Sequence, residues 1–268
     1  MNRYDVIFKE LKYKHEGCFV PFVTIGYPSI QFFYKIIDNL LLYGSNALEL
    51  GIPFSDPLAD GSIIQKSNSA ALNNGITVSR CFKIIQKIRI KYSHIPIGIL
   101  VYANMVFNYG IKNFYKLCAI TNIDSVLIPD IPIEEYLLFK KHADFYNISS
   151  IFIVPPNSSK QLIQKIAYLG TGYIYLTTRS GVTGLKNTTF IPNVDIIKEL
   201  KNNTSVPILQ GFGISKPSQI KLALSSGING IICGSIIIKV IQKYQSTEDI
   251  MLKKIKELVK IFKMATKI

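Results

Sequence analysis

Short runs of β-branched and aromatic residues recur along the chain, and most are followed by a stretch whose apolar positions fall at helical spacing. The runs read as strands at 18–25, 47–52, 96–102, 124–130, 150–155, 172–178, 206–212 and 230–234. Helix starts and stops punctuate the stretches between them. Ser29 opens an apolar-periodic segment that ends at Gly44, Thr77 leads into "VSRCFKIIQKIRIKY", and Pro132 with Glu134 and Glu135 reads as the first turn of another helix. Ser158 to Gly170 and Ser215 to Gly227 complete the series. Strands alternating with helices over 268 residues, with no linker between them, predict one closed (β/α)8 barrel, a TIM barrel, spanning 1–268 as a single catalytic domain. A doubly wound open sheet is the alternative, but the first turn after a strand, "TIGYPS", lacks the G-x-G-x-x-G dinucleotide fingerprint.

A barrel of this kind carries its chemistry at the C-terminal ends of the strands. In 47–52 the alternation sends Leu48 and Leu50 to one face and Ala47, Glu49 and Gly51 to the other. The leucines suit the surrounding helices, so Glu49 is expected to face the barrel interior. There its charged form loses solvation, its pKa rises, and it becomes able to exchange protons near neutral pH. The structural alternative is a core glutamate satisfied by a buried cation, yet no Lys or Arg lies in any of the eight strand runs.

The following loop, "PFSDPLADG", adds two acids. Asp56 precedes Pro57, as in an ordinary turn, and Asp60 precedes Gly61 at the start of "SIIQKSNSAALNN", where a helix cap is the ordinary explanation. Turn chemistry and function stay equally open for both. The loops after the seventh and eighth strands, "QGFGIS" and "CGSIII", make Gly213, Gly234 and Ser235 candidate phosphate donors, since barrels often build a phosphate site there at a helix N-terminus. The loop "TTRSGVTGLKN", 177–187, is long enough to be a lid or simply a long connection.

Composition narrows the chemistry. With 48% hydrophobic and 18% charged residues the chain has ample core, and no apolar stretch approaches the roughly 20 residues of a membrane span. The N-terminus lacks the continuous apolar segment of an export signal, and the four cysteines form no C-x-x-C pair, so a reducing cytoplasm is expected. His15, His94 and His142 all fall away from the strand C-termini, which argues against a metal centre, and the absence of strand lysines argues against a Schiff base. A net charge of +14 invites a nucleic-acid reading, but the lysines are spread through the helical stretches. The densest run, "KKIKELVKIFK", reads as the solvated face of an amphipathic helix, and no nucleic-acid partner is expected. What remains is cofactor-free acid/base chemistry on a small phosphorylated substrate.

The segment "LELGIPFSDPLADG" resembles the signature of the tryptophan synthase alpha subunit family, and "PFVTIGYP", "YANMVFNYG", "PDIPIEE", "SGVTG", "QGFGI" and "CGS" resemble its other segments in the same order. The likeness covers essentially the whole chain, including an extra N-terminal helix. It implies a lyase of tryptophan biosynthesis that cleaves indole-3-glycerol phosphate to indole and glyceraldehyde 3-phosphate. Indole would pass to a pyridoxal-phosphate-dependent beta subunit in an α2β2 complex, with no cofactor in this chain. By the same resemblance Glu49 is the general acid/base and Asp60 stabilises positive charge on the ring nitrogen. Gly184, Gly213, Gly234 and Ser235 form the phosphate cradle, and Phe22, Leu100, Tyr175 and Phe212 surround the indole and glyceryl portions. Thr183 bonds Asp60, and Asp56, Asn108 and Pro132 face the beta subunit. A stand-alone lyase of the same family, releasing free indole, is the near alternative. Ser62, where the family often has Pro, and Ile236, where it commonly has a small residue, depart from the pattern.

Overall fold

The computed structural model describes residues 2–177 and 193–267. Its strands are β1 (Cys18–Thr24), β2 (Leu48–Gly51), β3 (Ile97–Leu100), β4 (Ser125–Leu127), β5 (Ser149–Val154), β6 (Ile174–Thr177), β7 (Ile208–Gly211) and β8 (Gly230–Cys233). Each pairs in parallel with the next, and β8 returns to β1 to close the barrel. The helices are α1 (Arg3–Tyr13), α2 (Ile30–Leu42), α3 (Ser62–Asn73), α4 (Val78–Lys91), α5 (Ala103–Tyr109), α6 (Ile111–Ile120), α7 (Leu137–Phe145), α8 (Lys160–Leu169), α9 (Val194–Asn203), α10 (Pro217–Ser225), α11 (Ser235–Tyr244) and α12 (Glu248–Ala265). The predicted strand runs hold, shortened at one or both ends except for β5, which is shifted one residue toward the N-terminus.

Alternation along each strand divides the core in two. Leu48, Leu50, Ile97 and Ile99 point outward into the layer between strands and helices. Val20, Phe22, Leu127, Ile151, Tyr173, Tyr175, Leu209 and Ile232 fill the barrel itself. Helix α1 seals the N-terminal end, with Tyr4 and Leu11 joining the interior cluster. The Tyr4 hydroxyl lies 2.8 Å from Ser125 Oγ. A Cβ on Gly98 would come within 2.5 Å of that Ser125 oxygen and 3.0 Å of the Tyr4 hydroxyl, so a residue without a side chain is what lets the helix reach so far in.

Helix boundaries follow the sequence where a cap is local. Ser29 accepts from Phe32 N–H and Thr77 from Arg80 N–H, as their positions predict. Three starts shift. Ser159 rather than Ser158 caps α8, and Lys216 precedes Pro217 at the start of α10 where Ser215 was expected. Glu134 and Glu135 lie in a turn before α7, because Glu135 N–H closes on Pro132 C=O at 3.0 Å and the helix begins only after Tyr136 is buried.

Candidate active site

At the C-terminal end of the barrel a cleft of about 600 Å3, counting its open mouth, is lined by Glu49, Asp60, Phe22, Leu100, Tyr175, Phe212, Gly213, Gly234 and Ser235. These residues come from six different strands or the loops after them, and folding brings them to one place. Ala59, Ile64, Leu127, Pro129, Ile153, Ile214 and Ile232 complete a mostly apolar wall, the usual make-up of a small-molecule site. Thr183 and Gly184 lie outside the described residues, as does most of the 177–187 loop.

Glu49 sits on β2 with its side chain inward and is 2% exposed. Its partner is the Tyr173 hydroxyl, which donates to Oε1 at 2.9 Å. Burial raises its pKa to about 7; the Tyr173 hydrogen bond opposes that rise, and the Asp60 charge adds to it. The expected interior position and raised pKa are both present, and the buried partner is a neutral phenol rather than a cation.

Asp60 does not cap α3: Gly61 holds the cap position and makes no side-chain cap bond. The Asp60 side chain turns into the cleft, accepting from Asn68 Nδ2 at 3.3 Å, while its carbonyl accepts from Gln65 Nε2 at 2.8 Å. Burial lifts its pKa to about 6, against hydrogen bonds from Tyr102 and Asn68. Glu49 therefore holds a proton more tightly than Asp60, which suits one as acid and the other as anion.

Beyond β1, the strand β8 leads into an uncapped helix N-terminus at the cleft. Helix α11 begins at Ser235 with no side chain capping it, leaving its first N–H groups, and the positive end of its dipole, for a ligand. Gly234 belongs there because a Cβ would approach the Phe22 ring to 3.0 Å. In the loop after the adjacent strand β7, Phe212 and Gly213 both adopt left-handed φ, 65° and 80°. The Phe212 ring meets Tyr175 edge-on at 6.0 Å. A non-glycine residue held at positive φ beside a ligand cleft marks a functional constraint.

Asp56, Asn108 and Pro132 are exposed on the loops and helix that follow β2, β3 and β4, away from the cleft floor. Ser55 Oγ donates to the Asp56 carboxylate, and Leu58 N–H closes on the Asp56 backbone C=O at 2.9 Å, so the chain turns here through its backbone and not through the Asx-type turn expected of the Asp56 side chain. Around these residues Leu58, Phe107, Leu137 and Leu138 expose more than half of their surface.

Sequence reasoning passed over Tyr173, Tyr102 and Asn68. Tyr173 was within reach, since it alternates with Tyr175 in "GYIYLTT" and must share its face. Asn68 carries a subtler signal, for Ser67 and Asn68 are polar residues on the same helix stripe as Ile64 and Ala71, the stripe that is buried.

The sequence pattern of the tryptophan synthase alpha chain matches residues 8–267. The tryptophan synthase alpha chain of Buchnera aphidicola subsp. Baizongia pistaciae is 51% identical over 265 residues, covering 99% of this chain and 98% of its own. That of Escherichia coli O7:K1 is 47% identical over 267 residues, covering all of both. A solved structure from Aquifex aeolicus VF5 superposes with a TM-score of 0.91 at 28% identity, again over all of both chains. An interior acid on β2, a second acid in the loop after it and an uncapped helix after β8 thus stand in a chain that belongs to the tryptophan synthase alpha chain family and carries that enzyme's lyase half-reaction.

Proposed function

We propose that Glu49 and Asp60 divide the cleavage of indole-3-glycerol phosphate between them in a single catalytic domain, with the phosphate held at the α11 N-terminus. The observation that carries this is the pairing of two buried acids with no cation beside them among the described residues, at about 7 and about 6, in one cleft with that helix N-terminus. Glu49, as the neutral acid, gives its proton to ring carbon 3, and the ring becomes cationic with its N–H directed at the Asp60 carboxylate. Glu49, now anionic, takes the proton of the hydroxyl on the carbon attached to the ring. The carbon–carbon bond breaks, its electron pair returns to the ring, and indole and glyceraldehyde 3-phosphate leave with Glu49 protonated again.

Phe22, Leu100, Tyr175 and Phe212 supply apolar and aromatic contact to the indole and glyceryl portions. Gly213, Gly234 and Ser235, joined by Gly184, take the phosphate, and Thr183 bonds Asp60. Asp56, Asn108 and Pro132, with the apolar side chains exposed beside them, face a tryptophan synthase beta chain, in an α2β2 assembly whose beta subunit holds the pyridoxal phosphate and receives the indole. Apolar side chains clustered at one rim support a partner surface. A biosynthetic role on a small phosphorylated substrate suits the cytoplasm, and no helix among the described residues is long and apolar enough to cross a membrane.

The test is indole release from indole-3-glycerol phosphate by the full chain, alone and with a beta chain added. Slow release that rises sharply with the partner is expected; fast release indifferent to it would mark a stand-alone lyase, and none in either condition would reopen the substrate. Because the acid must be Glu49 and the anion Asp60, kcat/KM should peak between about 6 and about 7. It should fall at lower pH as Asp60 gains a proton and at higher pH as Glu49 loses one.

A further inference from the structure

The two carboxylates are held differently. Among the described residues Glu49 accepts from Tyr173, whereas Asp60 sits in a frame drawn from two elements. Asn68, buried on α3, donates to Oδ2. From the other side stands Tyr102, whose hydroxyl accepts the Ala59 N–H at 3.2 Å. Having accepted there, the hydroxyl has its own proton free, and it gives that proton's hydrogen bond to Asp60.

Tyr102 is itself placed by its neighbours. It occupies the cap position of α5 and makes no cap bond with its own side chain. The cap comes from the next loop along the rim, where Asp130 Oδ1 accepts the Ala103 N–H at 3.0 Å. The Phe54 ring stacks on Tyr102 at 5.1 Å and 26°, fixing the plane in which the hydroxyl lies. The remaining titratable groups turned toward Asp60 are Glu49 and Tyr175, and no Lys, Arg or His lines the cleft among the described residues. Among the described residues, neutral donors hold the Asp60 carboxylate and its aim.

We propose that Tyr102 and Asn68 are positioning residues that aim the Asp60 carboxylate at the ring N–H, and that Asp130 acts through Tyr102 by pinning the start of α5. This rests on the proposed role of Asp60. Two donors clamped onto the carboxylate leave it one open direction, toward the cleft, so the frame stabilises the cationic ring without touching substrate. The contribution appears when the ring becomes charged and not when the phosphate binds.

The experiment compares Tyr102→Phe, Asn68→Ala, Asp130→Ala, the Tyr102→Phe/Asp130→Ala double variant and Asp60→Asn in the full chain, alone and with a beta chain added. Losing a hydrogen bond to a charged group should lower kcat by about 10- to 100-fold in Tyr102→Phe and somewhat less in Asn68→Ala, with KM within about 2-fold. The acidic limb of kcat/KM should move to higher pH, since a carboxylate with fewer donors protonates sooner. Affinity for glycerol 3-phosphate, which has no ring, should stay unchanged. Asp130→Ala should lower kcat by about 3- to 10-fold in the native background and by nothing further once Tyr102 is Phe. Asn68→Ala removes only an amide and carries the test should Tyr102→Phe fail to fold.

Native kcat and an unmoved acidic limb in folded Tyr102→Phe and Asn68→Ala would overturn the inference, as would loss of glycerol 3-phosphate binding in step with kcat. Multiplying effects in the double variant would remove Asp130 from it. Asp60→Asn separates the two levels: normal turnover there would overturn the role of Asp60 itself, whereas a dead Asp60→Asn beside unaffected frame variants would overturn the frame alone.

Discussion

Buried carboxylates stand at both ends of this barrel, and they have opposite surroundings. At the N-terminal end Asp124, 5% exposed, accepts from Arg3 at 2.8 Å, from Arg89 at 2.6 Å and from the Ile97 N–H at 2.7 Å. At the C-terminal end Glu49 and Asp60 are as deeply buried, at 2% and 4%, and neither is paired with a cation among the described residues. Burial alone therefore does not make a carboxylate chemical. Asp124 is held by two guanidinium groups in a cross-brace between α1, α4 and the start of β3. Glu49 and Asp60, given only neutral donors, are left free to gain and lose protons near neutrality.

The comparison is sharpest in activity. Glu49→Gln should cut turnover by at least about 1,000-fold while leaving glycerol 3-phosphate affinity nearly intact, because the amide keeps the shape and loses the transferable proton. Comparable turnover would end the distinction between the two ends. Asp124→Ala should do the converse. It strands Arg89, whose side chain is 7% exposed, and breaking a buried pair from one side costs about 3–5 kcal/mol; denaturant unfolding should register that loss, with turnover per folded molecule close to native.

The pH dependence of stability separates the ends more finely. Glu49 has a folded pKa of about 7 against an unfolded value of 4.5, so the folded state binds the extra proton across that interval. Stability contributed by this group is complete below the unfolded value and is lost as pH rises toward 7. Glu49→Gln should thus unfold at higher denaturant than the native chain at pH 8, by on the order of 2 kcal/mol, with the difference gone at pH 4. An equal difference at both pH values would refute the titration. The smallest effect expected is at Arg3. Its side chain is 31% exposed, so Arg3→Ala should cost under about 1 kcal/mol even though it bonds the same Asp124.

Part of this contrast was legible in the chain. The alternation of 47–52 gave Glu49 its inward face, and with no Lys or Arg in the strand runs its partner among the described residues is the Tyr173 hydroxyl. The same rule, applied to Asp124 in its own strand run, would have misled. Its cations come from helices, Arg3 from α1 and Arg89 from α4, at sequence separations of 121 and 35. Asp60 was undecidable from its neighbours, because Asp before Gly-Ser at a helix start fits a cap as well as a site. Gly61 took the cap position, and the donors that turn Asp60 inward sit eight residues on and in another loop.

The sequence by itself determined the strand and helix periods, the eightfold repeat, the inward acid on β2 and the glycine-bearing loops after β7 and β8. These are local properties, set by side-chain alternation and by backbone freedom over a few residues. Only the tertiary structure decided which acids share a cleft, that Tyr173 and not a cation meets Glu49, that Asp130 in one loop caps a helix in another, and that α1 plugs the far end with Tyr4. The Tyr173–Glu49 and Tyr4–Ser125 contacts join residues 124 and 121 positions apart, and Asp130 meets Ala103 across 27; no short-range pattern encodes contacts of that kind.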